Sequence, residues 1–483
     1  MIYNQDMDKY FSENLIDLAQ AVKKQGYTLY VVGGATRNML MGLPINDIDI
    51  CGNIPLLKMM DICKAKKYGM SQVSEKFCSV KINVNDEERY EFTSFRIDTY
   101  DSTGTHTPCD VEYTNSVDID SDRRDFDINC IYYDILEEKY LDKYNGKNAI
   151  TNKTISALPT LSPVLSKDGQ RILRLIRIAN EVNFKINSKT YKDAKKYAHL
   201  VKDINVERRL QELKTIVVSD LRYSTNPAPN FIELFNSLNL YEYLINSTAK
   251  NMKLKSNKHS VKNYYKLQKE SRFVGLCILL LESALGYKYH KENLILYVTN
   301  TLFGLDGLKC SNEDLRTINK IYVLYQDLQY GKAKDIDLFM ATKYAILSTG
   351  EKDILSNLVS VDKYKIVTKS LEYLKENNLP TTLNALNITP QELIEAGIKK
   401  ELISKMMDIL FKNCLLLEVA NTYEDLLDYA KDLNKEMQSM VKEINDKTRE
   451  LRETNRPKAK KSIKQKTKMK KSKMKTIHKK KTN

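Results

Sequence analysis

The residues best equipped for chemistry lie in one stretch, Val31–Ile50, VVGGATRNMLMGLPINDIDI. Asp47 and Asp49 stand one residue apart at the start of a run, Ile48–Cys51, that reads as a strand. Side chains alternate along a strand, so both carboxylates project to one face with their Cα atoms roughly 6–7 Å apart. Carboxylates at that spacing can hold hard divalent cations about 3.5–4 Å from each other, which is what two-metal phosphoryl transfer requires. Just upstream, Thr28–Val32 reads as a buried strand, Gly33-Gly34 as a tight turn and Ala35–Met41 as a short helix. The glycines leave backbone amides open to a phosphate, and the helix start adds its positive end. Alone, a D-x-D or a G-G usually marks only a turn. The information lies in the full pattern G-G-x-x-R-x-x-L-x-G-x-x-x-x-D-x-D, which also contains Arg37.

Three further segments carry usable groups. Arg89–Arg96, RYEFTSFR, is an alternating strand with Tyr90, Phe92 and Ser94 on the face opposite Glu91, Thr93 and Phe95. In Asp122–Tyr133, DRRDFDINCIYY, the forked guanidinium of Arg124 can bind two phosphate oxygens at once, and Asp125 and Asn129 can bond ribose hydroxyls. An R-R-D before an apolar run can also be simply a helix cap. Asp168–Phe184, DGQRILRLIRIANEVNF, reads as a helix with Ile172, Leu173, Leu175, Ile176 and Ala179 buried. Arg171, Arg174 and Arg177 share the other face, and for Arg177 a solvated basic surface is the expectation.

Together these motifs resemble those of the tRNA nucleotidyltransferase and bacterial poly(A) polymerase family, firmly over Thr28–Ile245 and loosely thereafter. The resemblance implies an α+β fold: a polymerase-beta-like nucleotidyltransferase head followed by an all-helical neck, body and tail. It implies Mg2+ on Asp47 and Asp49, with Glu91 as a third carboxylate that binds metal or takes the proton of the attacking hydroxyl. Gly33, Gly34, Arg37, Arg124, Asp125, Asn129 and Arg174 fall in nucleotide-binding motifs. Asp168 and Arg171 hold the two places that read the base edge of CTP or ATP; a guanidinium can donate to cytosine O2 and N3 while the carboxylate accepts from the exocyclic amine. Asp98–Pro108 falls where the family has a flexible loop needed to add the terminal adenosine, although Thr105, His106 and Thr107 stand where arginines are usual. Val206–Ser219 resembles the E-R-x-x-x-E-L segment that stiffens the neck. Ile388–Ala430 resembles the tail of bacterial CCA-adding enzymes, with Leu393, Gly397, Ile398, Ile403, Asn421, Glu424, Leu426 and Leu427 at matching spacing. Three positions depart from the pattern: Asn38 replaces an aspartate, Asp127 a threonine and Lys167 a glutamate. The expected activity is addition of CCA to tRNA from CTP and ATP. A poly(A) polymerase or a partial CC- or A-adding enzyme is the alternative, and a catalytically lapsed RNA-binding protein a more distant one.

The rest of the 483-residue chain must position these groups. It is too long for one core. Strand-like runs (Gln72–Val84, Arg89–Arg96, Ile128–Ile135) belong to the first part, and helical periodicity dominates beyond about Asn148. The expected division is a head at 1–147, a neck at 148–220, a body at 221–378, a tail at 379–455 and a disordered Lys-rich extension at 456–483. Phe231–Leu244 is expected as one helix, and Asn421–Arg456 as a long helix or helix pair ended by Pro457. Of the net charge of +15, the segment Arg456–Asn483 supplies 14 basic residues and no acidic one, leaving the remainder near +1. That segment reads as an electrostatic arm toward RNA or as a solubilising or targeting extension. The eight cysteines form no C-x-x-C pair, against zinc and disulfides and in keeping with a reducing cytosol. The longest apolar run, Phe273–Leu281, is too short to span a bilayer, and the N-terminus is unlike a signal peptide, so no membrane association and a cytoplasmic location are expected. Five histidines form no H-D or H-E-x-x-H motif, and there is no Walker loop. Oligomeric state is not encoded in any feature of the sequence.

Overall fold

A computed structural model describes residues 10–99, 108–159, 164–223, 231–255, 258–332 and 335–478. The first part is built on a seven-stranded sheet. Its strands are β1 (Leu29–Val32), β2 (Ile48–Gly52), β3 (Gly69–Ser74), β4 (Ser79–Asn83), β5 (Arg89–Ser94), β8 (Tyr132–Asp134) and β9 (Lys139–Leu141), in the order β3-β4-β5-β2-β1-β8-β9. The pair β6 (Arg96–Thr99) and β7 (Asp110–Tyr113) forms a separate antiparallel ribbon. β1 is wholly apolar, LYVV, because it lies between two neighbours and is covered on both faces. Alternation along β1 and β2 sends Val31 and Ile50 into one core and Val32 and Cys51 into the other.

The first face is covered by α1 (Glu13–Lys24), capped by Ser12, and α3 (Leu56–Ala65). α2 (Gly34–Met41), which follows β1 directly, adds Ala35 and Met39 to that same core, and the second face is covered by the segment that runs from α4 (Val117–Asp122) past α5 (Gly146–Thr151) to α6 (Val164–Lys167), with Val117 and Val164 in its core. Beyond it, α7 (Gln170–Val182), α8 (Ser188–Tyr197) and α9 (Val206–Ile216) form the helical region next to the head, with a short parallel pair, β10 (Thr154–Ile155) and β11 (Lys185–Ile186), at its base. Apart from that pair, the described residues after α5 are helices and connections.

Several boundaries differ from the sequence expectation. Gln72–Val84 is a hairpin, β3 and β4, that turns at 75–78. Ile128 falls in a 3-10 turn, Asp127–Asn129, and the strand begins only at Tyr132. Phe231–Leu244 is two helices, broken at Asn239, whose φ of 53° is left-handed. The helix starting at Tyr423 runs to His478, through Pro457, where an end and a disordered extension were expected. Lysine, glutamine, methionine and alanine all favour helix locally, which a reading based on burial alone overlooks.

Packing divides the chain into two compact units, Met1–Lys332 with Ser348–Tyr364, and Ala333–Leu347 with Lys365–Asn483. The second unit has its own core of Leu393, Ile398, Ile403, Met406, Leu410 and Leu426.

Candidate active site

Five segments that are remote in sequence meet at one pocket of about 330 Å³ in the first unit. Gly33 and Gly34 form its edge at the β1–α2 turn, and Asp49 lies on its floor. Gly33 has φ 79°, and a Cβ there would stand 3.1 Å from Asp49 Oδ2. The turn thus needs glycine for its backbone and for the close approach of the carboxylate. The other walls bring Arg124, Asp125 and Asn129 from the segment before β8, and Asp168, Arg171 and Arg174 from the start of α7. Nine of the twelve residues singled out from sequence therefore line one cavity.

The carboxylates are arranged by sheet register. β2 and β5 are parallel, with Asp49 paired to Glu91. Asp49 is open to water, yet burial among the pocket walls and the charge of Glu91 push its carboxyl up to about 6. Water reaches the group, but protein crowds it, and a cation is what would stabilise its charged form. Asp47 precedes β2 and stays outside the pocket lining. Its side chain is 85 % exposed, and its Oδ2 faces Nη2 of Arg222 at 3.4 Å. Glu91 is also solvent-facing and pairs with Lys81 Nζ at 3.6 Å. These are hard oxygen donors suited to Mg2+. In the arrangement described, no three acidic, histidine or cysteine side chains gather about one point among the described residues.

The arginine-bearing wall is held by charge pairs. Arg124 donates from Nη2 to Asp120 Oδ2 at 2.9 Å and from Nε to the Tyr132 hydroxyl at 2.6 Å. Burial opposes the Asp120 charge, but Arg124 and Arg123 hold its carboxyl down at about 2. Arg174 Nε donates to Asp125 Oδ2 at 2.7 Å. Burial again opposes the charge on Asp125, and Arg174 and Arg171 lower its pKa. Arg171 Nη2 donates to the Arg123 carbonyl at 2.9 Å. Asp168 accepts from the Gln170 amide at 2.8 Å, opening α7. Between them Gly169 leaves no room for a side chain, since a Cβ would meet Leu200 O at 2.4 Å.

Two arginines lie elsewhere than expected. Arg37 is 3 % exposed and does not line the pocket. It donates to Asn38 Oδ1 at 3.0–3.1 Å and to Asn129 Oδ1 at 3.0 Å, with Glu181 at 3.9 Å. It braces a pocket residue from behind. Arg177 is not on a solvated basic face: it pairs with Glu181 of its own helix at 3.4 Å and with Glu212 of α9 at 3.5 Å, because the polar side of α7 packs against α9. Sequence reading also missed Arg96, Asp98 and Arg123 as pocket residues. Arg96 Nε meets Asp98 Oδ1 at 2.8 Å, and Arg123 Nη1 lies 3.9 Å from Asp98 Oδ2. The i,i+2 alternation of Arg96 and Asp98 along β6 was the available signal. The readings for 100–107 fall outside the described residues.

Residues 29–156 match the poly A polymerase head domain. The chain is 25 % identical to a CCA-adding enzyme of Ligilactobacillus salivarius over 432 residues, 87 % of this chain and 96 % of that one. It is 25 % identical to that of Streptococcus uberis over 339 residues, 69 % and 76 % respectively. The fold is similar to the Bacillus stearothermophilus CCA-adding enzyme solved with CTP (TM-score 0.61, 19 % identity, 90 % of this chain and all of that one). It is equally similar to the Thermotoga maritima CCA-adding enzyme solved with tRNA (TM-score 0.62, 17 % identity, 88 % and 98 %). Residues 29–156 thus carry a poly A polymerase head domain, and the chain as a whole is similar to CCA-adding enzymes.

The three departures from the family pattern now have surroundings. The Asn38 amide accepts from Arg37 and donates to Pro44 O at 2.8 Å and to the Tyr223 hydroxyl at 2.9 Å. A carboxylate could not donate to that carbonyl, so asparagine satisfies a set of partners that aspartate would not. Asp127 accepts from the amides of Ile128 at 2.8 Å and Ser156 at 3.1 Å. Lys167 is not in the pocket lining; burial and the nearby Arg171 lower its pKa.

Proposed function

We propose that this chain is a CCA-adding tRNA nucleotidyltransferase, transferring CMP, CMP and AMP from CTP and ATP to the 3′ end of tRNA with release of pyrophosphate. The observation that carries this reading is that Asp168 and Arg171 share one cavity with Asp49 and Arg124. Base reading and phosphate chemistry are thereby within reach of one nucleotide. The names of the relatives, matched over most of their length, support it.

In this reading Arg124 and the amides after Gly33 take the triphosphate, and Asp125 and Asn129 take the sugar. Asp168 accepts from the exocyclic amine of cytosine or adenine, while Arg171 donates to the ring edge. Asp47 and Asp49 would hold Mg2+, which when bound would supply charge stabilisation at the α-phosphate and acidify the tRNA 3′-hydroxyl. Glu91, next to Asp49 in register, completes the donor set or accepts the proton. The 3′-oxygen bonds to the α-phosphorus as its bond to the bridging oxygen breaks, and pyrophosphate leaves. No covalent enzyme intermediate is needed. All eight cysteines are free thiols, which fits the cytoplasm, and no described helix is long and apolar enough to cross a membrane.

The test is incorporation of labelled CTP and ATP into tRNA lacking its CCA end. Two cytidines followed by one adenosine support the proposal. Repeated adenosine indicates a poly(A) polymerase, and C or A alone a partial enzyme. Binding of tRNA without incorporation indicates the lapsed RNA-binding protein.

A further inference from the structure

The near-neutral average over the first 455 residues hides a concentrated charge. Between Lys250 and Lys291 there are ten basic residues and two acidic ones, Glu270 and Glu282. Glu282 is buried, accepting from the hydroxyls of Tyr325 at 2.6 Å, Ser260 at 3.0 Å and Tyr330. Arg272 is buried as well and pairs with Asp220. What remains at the surface is nine lysines against Glu270.

Part of this band is held in a fixed form. Asn236 clamps Leu254 with two bonds of 2.9 Å, one to its amide and one from its own amide to the carbonyl. Ser283 Oγ donates to Lys253 O at 3.2 Å. With Leu254 turned inward, at 2 % exposure, Lys253 and Lys255 face solvent on either side of it. The ammonium groups of Lys255 and Lys258 lie 4.9 and 4.5 Å from the centroid of one ring, Tyr287, with exposed Lys288 next in sequence. No ion pair involves these four lysines among the described residues. Two cations over one ring are each drawn to its face and repel one another. An anion is the partner that would stabilise both.

We propose that the ridge formed by Lys253, Lys255 and Lys258 around Tyr287, with Lys288 beside it, docks the phosphate backbone of the substrate tRNA. The inference rests on the function proposed above and names a surface for it in the helical body. Lysine is a point-charge partner for phosphate and reads no base, which suits an enzyme that must accept every tRNA.

The test is binding of a tRNA transcript lacking CCA to the full chain and to Lys253→Gln/Lys255→Gln/Lys258→Gln, across a salt series. Each lysine–phosphate pair removed lowers the slope of log K against log salt by about 0.7–0.9, so the triple variant should lose roughly two to three units. Its affinity near 0.1 M salt should fall by about tenfold or more, and KM for tRNA should rise while KM for CTP does not. Lys58→Gln/Lys64→Gln on α3, on the sheet face away from the pocket, is the control and should match the parent. If the triple variant loses its cooperative melt, Lys255→Gln/Lys288→Gln reads the same slope, with a loss of about one to two units. An active parent whose ridge variants keep its affinity and slope would overturn the ridge and leave the functional reading standing. A parent that neither binds tRNA nor extends it would overturn both.

Discussion

Asp127→Asn should stabilise the protein at neutral and alkaline pH and not in acid. Asp127 is 7 % exposed, and its burial pushes the carboxyl up to about 6, with Asp142 adding to the effect and the Ser156 and Ile128 amides opposing it. The unfolded value is near 3.9. A folded pKa above the unfolded one means that the native state binds the proton more tightly. The favourable contribution is therefore fully present below about pH 4 and is lost as pH rises through about 6. A shift of about two units corresponds to roughly 3 kcal/mol at pH 8, and burial leaves little water to screen it. Asparagine keeps an oxygen for the two amides, at 2.8 and 3.1 Å, and has no charge to bury. The assay is urea unfolding of parent and variant, followed by far-UV circular dichroism, at several pH values from about 4 to 8. The variant midpoint should lie above the parent's at pH 8, and the two should converge toward pH 4. Equal midpoints at pH 8, or a gain that persists undiminished in acid, would refute the assignment of a buried, reluctantly ionised carboxylate.

Asp47→Ala and Asp49→Ala should each abolish nucleotide transfer with little change in the melting curve, since neither side chain packs a core; turnover within about tenfold of the parent would remove the two-metal reading. Arg171→Ala should loosen discrimination against UTP and GTP as well as slow addition, measured by competing nucleotides on one tRNA; a slower enzyme with unchanged selectivity would make Arg171 purely structural. Truncation after Asn455 should leave a folded, active enzyme that binds tRNA more weakly and with a smaller salt slope, by about 0.7–0.9 for every phosphate the segment had neutralised. Superimposable salt curves would show that the Lys-rich segment does not touch RNA.

Much of the site was legible because its residues sit on elements whose periodicity is explicit. β5 alternates and β2 opens Ile-Asp-Ile, so Asp49 and Glu91 could be placed on strands, and the register pairs them as neighbours. The glycine turn and the start of α7 were readable for the same reason. Asp47 was harder: the strand starts one residue after it, and its partner Arg222 is 175 residues away. Arg177 shows a more general limit. Helical periodicity separates apolar from polar faces, but it cannot tell a face turned to water from one packed against α9 and its Glu212. Arg96 and Asp98 were missed because an i,i+2 alternation over a strand as short as β6 says little by itself, and Arg123 comes near Asp98 only through the fold. The lysine ridge was hidden by summing charge over hundreds of residues, which discards position.

The two bonds that α7 sends into the head bear on how the molecule could be re-engineered. Arg174 reaches Asp125 and Arg171 reaches the Arg123 carbonyl, so the residues proposed to select the base are braced by the segment proposed to grip the triphosphate. A graft that exchanged α7 alone for a helix of different specificity, without an arginine at 174, would strand a buried carboxylate at Asp125. Breaking one side of such a pair costs about 3–5 kcal/mol. The smallest portable cassette is therefore discontinuous, 123–129 together with 168–174. Recombination between relatives is expected to succeed when the crossover lies outside both blocks and to yield unstable proteins when it falls between them.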